Sequence, residues 1–213
     1  MGTSRIEAKR HRRKQEILRS AATAFRRRGF HGTSTDEIAR ALGMTKGNLY
    51  YYFRDKEQLL FACHDHSLNL VLEALSEAEA SNRPPEEKLG TLIRRHVEVM
   101  IDELGGSAMA LEFGTLSPPF LRRVIAKRDR YERGFRRIIA AGMSRGRFAP
   151  GDPKLSALAI LGSINWVTRW FRPGGSRSAT DVGEAFAEFF VRGLSTRRTV
   201  SRAGRVAGGR FRA

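Results

Sequence analysis

The sequence predicts an all-α chain, and three observations carry that prediction. Apolar residues recur at spacings of three and four along the chain, the period of one face of a helix. Runs of strict apolar–polar alternation, which mark half-buried strands, are absent. Glycine, proline and capping residues fall where such helices would start and stop.

The elements follow in order. A first helix is predicted over residues 11–28, with Ile17, Leu18, Ala21, Ala22 and Phe25 as its apolar stripe and Gly29 ending it. Ser34 and Glu37 have the spacing of a capping box for a short second helix that stops at Gly43. Thr45 can cap a third, from Lys46 to Phe53, and Asp55 a long fourth, which the run from Asn82 to Pro85 breaks. A fifth helix is predicted over 85–104, then a short one holding Met109, Ala110 and Phe113. Ser117-Pro118-Pro119 opens a long helix that Gly146 closes, and two more follow, over 153–171 and 180–194. From Thr196 the chain has arginine and glycine but little apolar periodicity, so disorder is predicted there.

Composition narrows the partners. The 213 residues carry a formal net charge of +17, which favours a polyanion: nucleic acid first, an anionic membrane surface second. Cys63 is the one cysteine, so no disulfide framework is possible and a reducing compartment is expected; it reads as a buried helical thiol. The N-terminal residues are too charged for a signal peptide, and no stretch reaches the ~18 apolar residues of a membrane span, so a cytoplasmic chain without a membrane partner is expected.

Residues 34–53 are the informative stretch. Ile38, Ala39 and Leu42 form one face of the second helix, Gly43 makes a tight turn, and Met44 plugs the corner. Leu49 and Phe53 hold the third helix against the second. Its other face, with Lys46, Gly47, Asn48, Tyr51 and Tyr52, is left to solvent. Two short crossed helices with such a face make a helix-turn-helix, whose second helix can enter a DNA major groove. Lys46 and Asn48 can reach base edges or phosphates, Gly47 permits close backbone approach, and Tyr51 offers a ring to a thymine methyl and a hydroxyl to a base or phosphate. Thr35 can give its hydroxyl and amide to a phosphate. Ordinary packing competes as the explanation of Tyr51 and still more of Tyr52, and for Ser34 capping suffices.

The segment from Gly29-Phe30 to Lys56-Glu57, above all Lys46-Gly47-Asn48-Leu49-Tyr50-Tyr51-Tyr52-Phe53 followed by Asp55-Lys56-Glu57-Gln58-Leu59-Leu60, resembles the DNA-binding domain of the TetR family of regulators. The resemblance implies an N-terminal three-helix DNA-binding domain (1–57, basic arm included) and a C-terminal helical domain (58–195) for ligand binding and dimerisation, with a basic tail over 196–213. It further implies a homodimer on a double-stranded operator, a repressor released by a small molecule, no cofactor and no enzyme activity. Tyr50 and Lys56 fall where the family contacts phosphates, and Thr45 joins the DNA-facing set. The basic arm, with Arg5, Lys9, Arg10, Arg12, Arg13 and Lys14 against Glu7, can neutralise phosphates or follow the minor groove, or can be a solvated charge run.

The run Asn165-Trp166-Val167-Thr168-Arg169-Trp170-Phe171-Arg172-Pro173-Gly174-Gly175 resembles a TetR subgroup that responds to acyl-CoA thioesters. Such a ligand needs an apolar slot and cations for its phosphates. Met100, Met109, Phe113, Phe120, Phe135 and Trp166 are the slot candidates, with Arg169, Arg172 and the face of Arg122, Arg123, Lys127 and Arg128 as cations. Core packing, or dimer-interface anchoring for Trp166 and Arg169, competes with this reading. The segment from Ile160 is apolar all round and is expected to be buried, largely against another surface.

A sequence-neutral DNA-compacting protein is the alternative, but it leaves the recognition face and the large second domain unexplained. An enzyme would need a phosphate loop or a nucleophile constellation, neither of which is present. His64 and His66 point to different faces, and His96 and Glu112 each stand alone. No metal site is expected.

Overall fold

The computed structural model describes residues 2–101, 113–172 and 174–196. Among them are nine α-helices, one short 3-10 turn at Phe113–Thr115 and no strand. None of these helices is long and apolar enough to cross a membrane. The predicted short helix around Met109 and the tail from Arg197 lie outside the described residues.

Helix α1 (Gly2–Arg28) starts nine residues before its predicted start. Arg, Lys, Gln, Glu and Ala are good helix formers, so the charged arm propagates the helix although residues 5–12 are exposed. Arg26, Arg27 and Arg28 fill the last turn, where cations complement the helix dipole. Helix α2 (Thr35–Ala41) packs on α1 and, as predicted, on α3 (Lys46–Tyr52), and Ile38, Ala39, Leu49 and Phe53 join Ile17, Ala21 and Phe25 in the core.

Helix α4 (Lys56–Ala80) begins at Asp55, whose carboxylate accepts the Gln58 amide at 2.7 Å. It is shared by both halves of the molecule. Leu59, Leu60 and Cys63 close the small N-terminal bundle against α1, and the Cys63 thiol donates to the Leu18 carbonyl at 3.6 Å. Leu68, Val71, Leu72 and Leu75 pack into the larger bundle. The predicted boundary at residue 57 thus falls in the first turn of a continuous helix, and one hydrophobic cluster runs from Ile17 to Ala187.

Helix α5 (Pro85–Ile101) is the axis of the larger bundle, touching α4, α6 (Pro118–Ser144), α7 (Pro153–Asn165), α8 (Val167–Trp170) and α9 (Ala179–Leu194). Close approach is built in at Gly142 of α6, where an added Cβ would overlap the wholly buried Phe148 ring. The predicted single helix over 153–171 is instead two, broken at Trp166. One face of it, with Ala157, Ile160, Ile164 and Val167, is buried within the chain, but the other is not: Leu155, Leu158, Trp166 and Trp170 are 65, 48, 62 and 47 % exposed, and Phe189 of α9 is 71 % exposed.

Candidate functional site

The helix-turn-helix is set by local hydrogen bonds. The Ser34 hydroxyl accepts the Glu37 amide at 3.2 Å, and the Glu37 carboxylate accepts the Ser34 amide at 3.3 Å. Arg28 ion-pairs with the same carboxylate. The Ser34 amide first, and then Arg28, hold the Glu37 carboxyl below the ordinary carboxylate range. Gly43, at φ +62°, supplies the left-handed turn residue, and the Met44 amide donates to the Ala39 carbonyl at 3.0 Å. The Thr45 hydroxyl caps α3 by accepting the Asn48 amide at 3.2 Å.

Leu49, 1 % exposed, anchors α3, and the rest of that helix's outer face stands in solvent. Thr45, Lys46, Gly47, Asn48, Tyr50 and Tyr51 are all exposed, with Tyr51 at 69 %. Lys46 pairs with Asp36 at 3.0 Å, which raises the affinity of its amine for the proton. Tyr52 is half-buried and packs on the core, its ring edge-on to Tyr51 at 5.2 Å.

Three predicted phosphate contacts, Thr35, Tyr50 and Lys56, are engaged within the fold. Thr35 is buried, with its hydroxyl 3.3 Å from the Tyr50 hydroxyl. The Lys56 ammonium donates to the Phe30 and Thr33 carbonyls at 2.8 and 3.0 Å and sits 4.4 Å from the Phe30 ring centroid. Lys56 therefore braces the loop that precedes α2.

In the larger bundle the described slot candidates stand in different surroundings. Phe120 stacks on Phe61 at 4.5 Å where α6 meets α4. Met100 and Phe135 are core residues, 1 and 0 % exposed. Trp166 is on the outer surface with the Arg169 guanidinium 5.8 Å from its ring. Met109 and the Phe113 side chain lie outside the described residues. Of the predicted cations, Lys127 is committed to Asp65 and Asn69 at 2.5 and 2.6 Å. Helical periodicity says which face of a helix turns inward, not which helices meet there. An open groove of about 390 Å³ between α4 and α5, lined by Leu70, Ala74, Thr91, Arg94 and Glu98 among others, contains none of the candidates.

The structure instead gathers polar groups that sequence reasoning set aside. His96 of α5 sits 3.3 Å from the Tyr131 hydroxyl through Nδ1 and 3.0 Å from the Asn165 amide oxygen through Nε2. Its ring stacks on Tyr131 at 5.6 Å. His64 and Ser67 of α4 are equally buried, and the Ser67 hydroxyl has no hydrogen-bond partner among the described residues. Burial, and then the charge of Arg128, pushes His64 down to about 4. Burial likewise pushes His96 down to about 4, with Arg128 adding and Asn165 opposing, and burial pushes the Tyr131 phenol up. The signal was present: His64 and His96 fall at positions in their helices where a leucine would complete the apolar stripe.

Comparison with known proteins agrees with both halves. Residues 17–63 match the family model described as bacterial regulatory proteins, tetR family, and residues 82–194 match the tetracyclin repressor-like C-terminal domain. The chain is 26 % identical to the HTH-type transcriptional repressor KstR2 of Mycolicibacterium smegmatis, over 86 % of this chain and 91 % of that protein. Among solved structures, the TetR family regulator PfmR of Thermus thermophilus superposes with a TM-score of 0.75 at 32 % identity, covering 84 % of this chain and 99 % of PfmR. AibR in complex with isovaleryl coenzyme A and operator DNA superposes with a TM-score of 0.72 at 30 % identity, covering 86 % and 98 %. These relatives are regulators rather than enzymes. With a recognition helix on one bundle and a second, larger helical bundle joined to it, the chain belongs to the TetR family of transcriptional regulators.

Proposed function

We propose that the chain is a sequence-reading repressor that binds an inverted-repeat operator as a homodimer and leaves it when an acyl-CoA thioester occupies the larger bundle. The observation that carries the DNA reading is Gly47. It lies in the first turn of α3, its φ is not positive, and an added Cβ would meet nothing closer than the Thr45 hydroxyl at 3.9 Å. The fold therefore does not need glycine there, and alanine would favour the helix by about 0.5–1 kcal/mol. A surface approaching α3 from outside does need it. The neighbours on that side are Lys46, Asn48 and Tyr51, donors and a ring suited to phosphates and base edges.

Two further features support the reading. Trp166, Trp170 and Phe189 leave large apolar side chains exposed on the last helices, fit to be covered by a second copy. The interior of the larger bundle offers apolar walls together with convergent hydrogen-bonding groups at His96, Tyr131 and Asn165, the mixture a small-molecule site uses. AibR, a neighbour in structure, is known with isovaleryl coenzyme A and operator DNA.

Selecting bound duplexes from a random pool tests the first part. The expected product is an inverted repeat with half-site centres about 34 Å apart. Tight, steeply salt-dependent binding with no recovered motif overturns it. Titrating the recovered complex with acyl-CoA thioesters of increasing chain length tests the second. Release by a thioester, with coenzyme A and the free acid inactive, is the expected outcome, and retention by the whole series overturns the effector assignment.

A further inference from the structure

The inner face of α1 does not stop at the edge of the bundle. Ile17, Arg13, Arg10 and Ile6 recur at four, three and four residues, which places them on one side of the helix. Ile17 is wholly buried in the core. One turn earlier, Arg13 pairs with Glu16 at 2.6 Å and donates to the Leu42 carbonyl at 3.1 Å, with the Met44 sulfur 4.0 Å away. Leu42 is the C-cap of α2, so Arg13 satisfies a helix-end carbonyl and ties α1 to the turn between α2 and α3. A further turn out, the Arg10 guanidinium lies 5.7 Å from the centroid of the Tyr51 ring. Ile6, at the end of the same face, is 71 % exposed.

Tyr51 is the most exposed aromatic residue of α3, and little within the chain holds it. Its ring has Tyr52 edge-on at one side and Arg10 at another. No carboxylate pairs with Arg10 among the described residues, and Glu7 is the one acid in residues 5–14. The guanidinium is thus left for the aromatic ring.

We propose that residues 6–13 of α1 form a positioning element for base readout, in which Arg13 locks the turn and Arg10 holds the Tyr51 ring in the orientation that meets DNA. The proposal rests on Tyr51 being a DNA contact. It goes beyond neutralising phosphates, because it makes a residue outside the recognition helix a determinant of which sequence is preferred.

The test compares the full-length chain with Arg10→Ala, Arg10→Lys, Tyr51→Ala and the Arg10→Ala/Tyr51→Ala double variant, in random-pool selection and in binding titrations over a salt series. Thermal melting confirms that each variant folds. The expected result is that Arg10→Ala weakens preference by about two- to five-fold, the size of an exposed cation–π contact, at the base pairs that Tyr51→Ala also affects. The double variant is then no worse there than Tyr51→Ala alone, and Arg10→Lys restores most of the preference. If Arg10→Ala lowers affinity for all sequences alike and shallows the salt slope by about one, with base preferences intact, Arg10 is only a phosphate contact and the proposal fails. If Tyr51→Ala itself leaves the preferences unchanged, the reading of Tyr51 fails and this inference with it. If Tyr51→Ala changes them and Arg10→Ala does not, this inference alone fails.

Discussion

Gly47 and Ser34 separate folding from binding. Ser34, though exposed, makes its hydrogen bonds within the protein, as the cap of α2 and half of a reciprocal pair with Glu37. Ser34→Ala should lower stability by about 1 kcal/mol in chemical denaturation. It should lower DNA affinity only as far as α2 frays. Gly47→Ala should do the reverse. The melting temperature should hold or rise slightly, while operator affinity measured by fluorescence anisotropy falls. If both quantities stayed fixed in Gly47→Ala, no surface would approach α3 closely at that point. The sequence already showed this pairing, because a capping box and a solvent-facing helix are local patterns. Lys56 was not legible in the same way. Its partners are the Phe30 and Thr33 carbonyls, more than twenty residues away, and nothing at position 56 announces that a loop will fold across it.

At the scale of elements, the helices were readable wherever a stop signal was strong. Ser34, Gly43, Thr45, Asp55 and the Pro84-Pro85 pair each mark a boundary that the structure keeps. Where no such signal stands, expectation and structure part. No residue breaks helical propensity between Gly2 and His11, so α1 runs on. The break at Trp166 has no proline or glycine at the site, and nothing in the structure explains it. The fit between elements is tested best at Gly142, where α6 meets the Phe148 ring. Gly142→Ala should cost about 1–3 kcal/mol by overpacking, read as a lower denaturant midpoint with an unchanged slope. The described slot candidates make the same point from the other side. Met100, Phe120, Phe135 and Trp166 are each apolar on or beside a helix, but where each comes to rest depends on pairings such as α5 with α6 and α6 with α7 that a one-dimensional pattern does not contain.

Across the whole molecule, two properties depend on many elements at once. The first is assembly. Introducing charge by Trp166→Glu together with Phe189→Glu, on the exposed apolar face, should yield monomers in sedimentation equilibrium and abolish tight operator binding. A variant that remained dimeric would place the interface elsewhere. The second is pH dependence. His64 and His96 are held neutral in the fold down to about pH 4, whereas in the unfolded chain they take up protons near pH 6.5. Between those values the unfolded state binds more protons, so stability rises with pH there and falls as pH drops from about 6.5 towards 4. Denaturant midpoints across that window should show the decline, and His96→Gln should flatten it by removing one of the two groups.

The continuity of α4 also limits what can be transplanted. Leu18, Ala22 and Phe25 of α1 depend on Leu59, Leu60 and Cys63 for cover, and the stretch that matches the family's DNA-binding model likewise ends at Cys63. A chimera cut at residue 57 would graft a reading head with an open apolar flank. One spliced after Cys63 would carry its own lid, and it would pass to the recipient a rigid helical stem whose rotational phase, about 100° for each residue added or removed, sets how the borrowed head faces its twin.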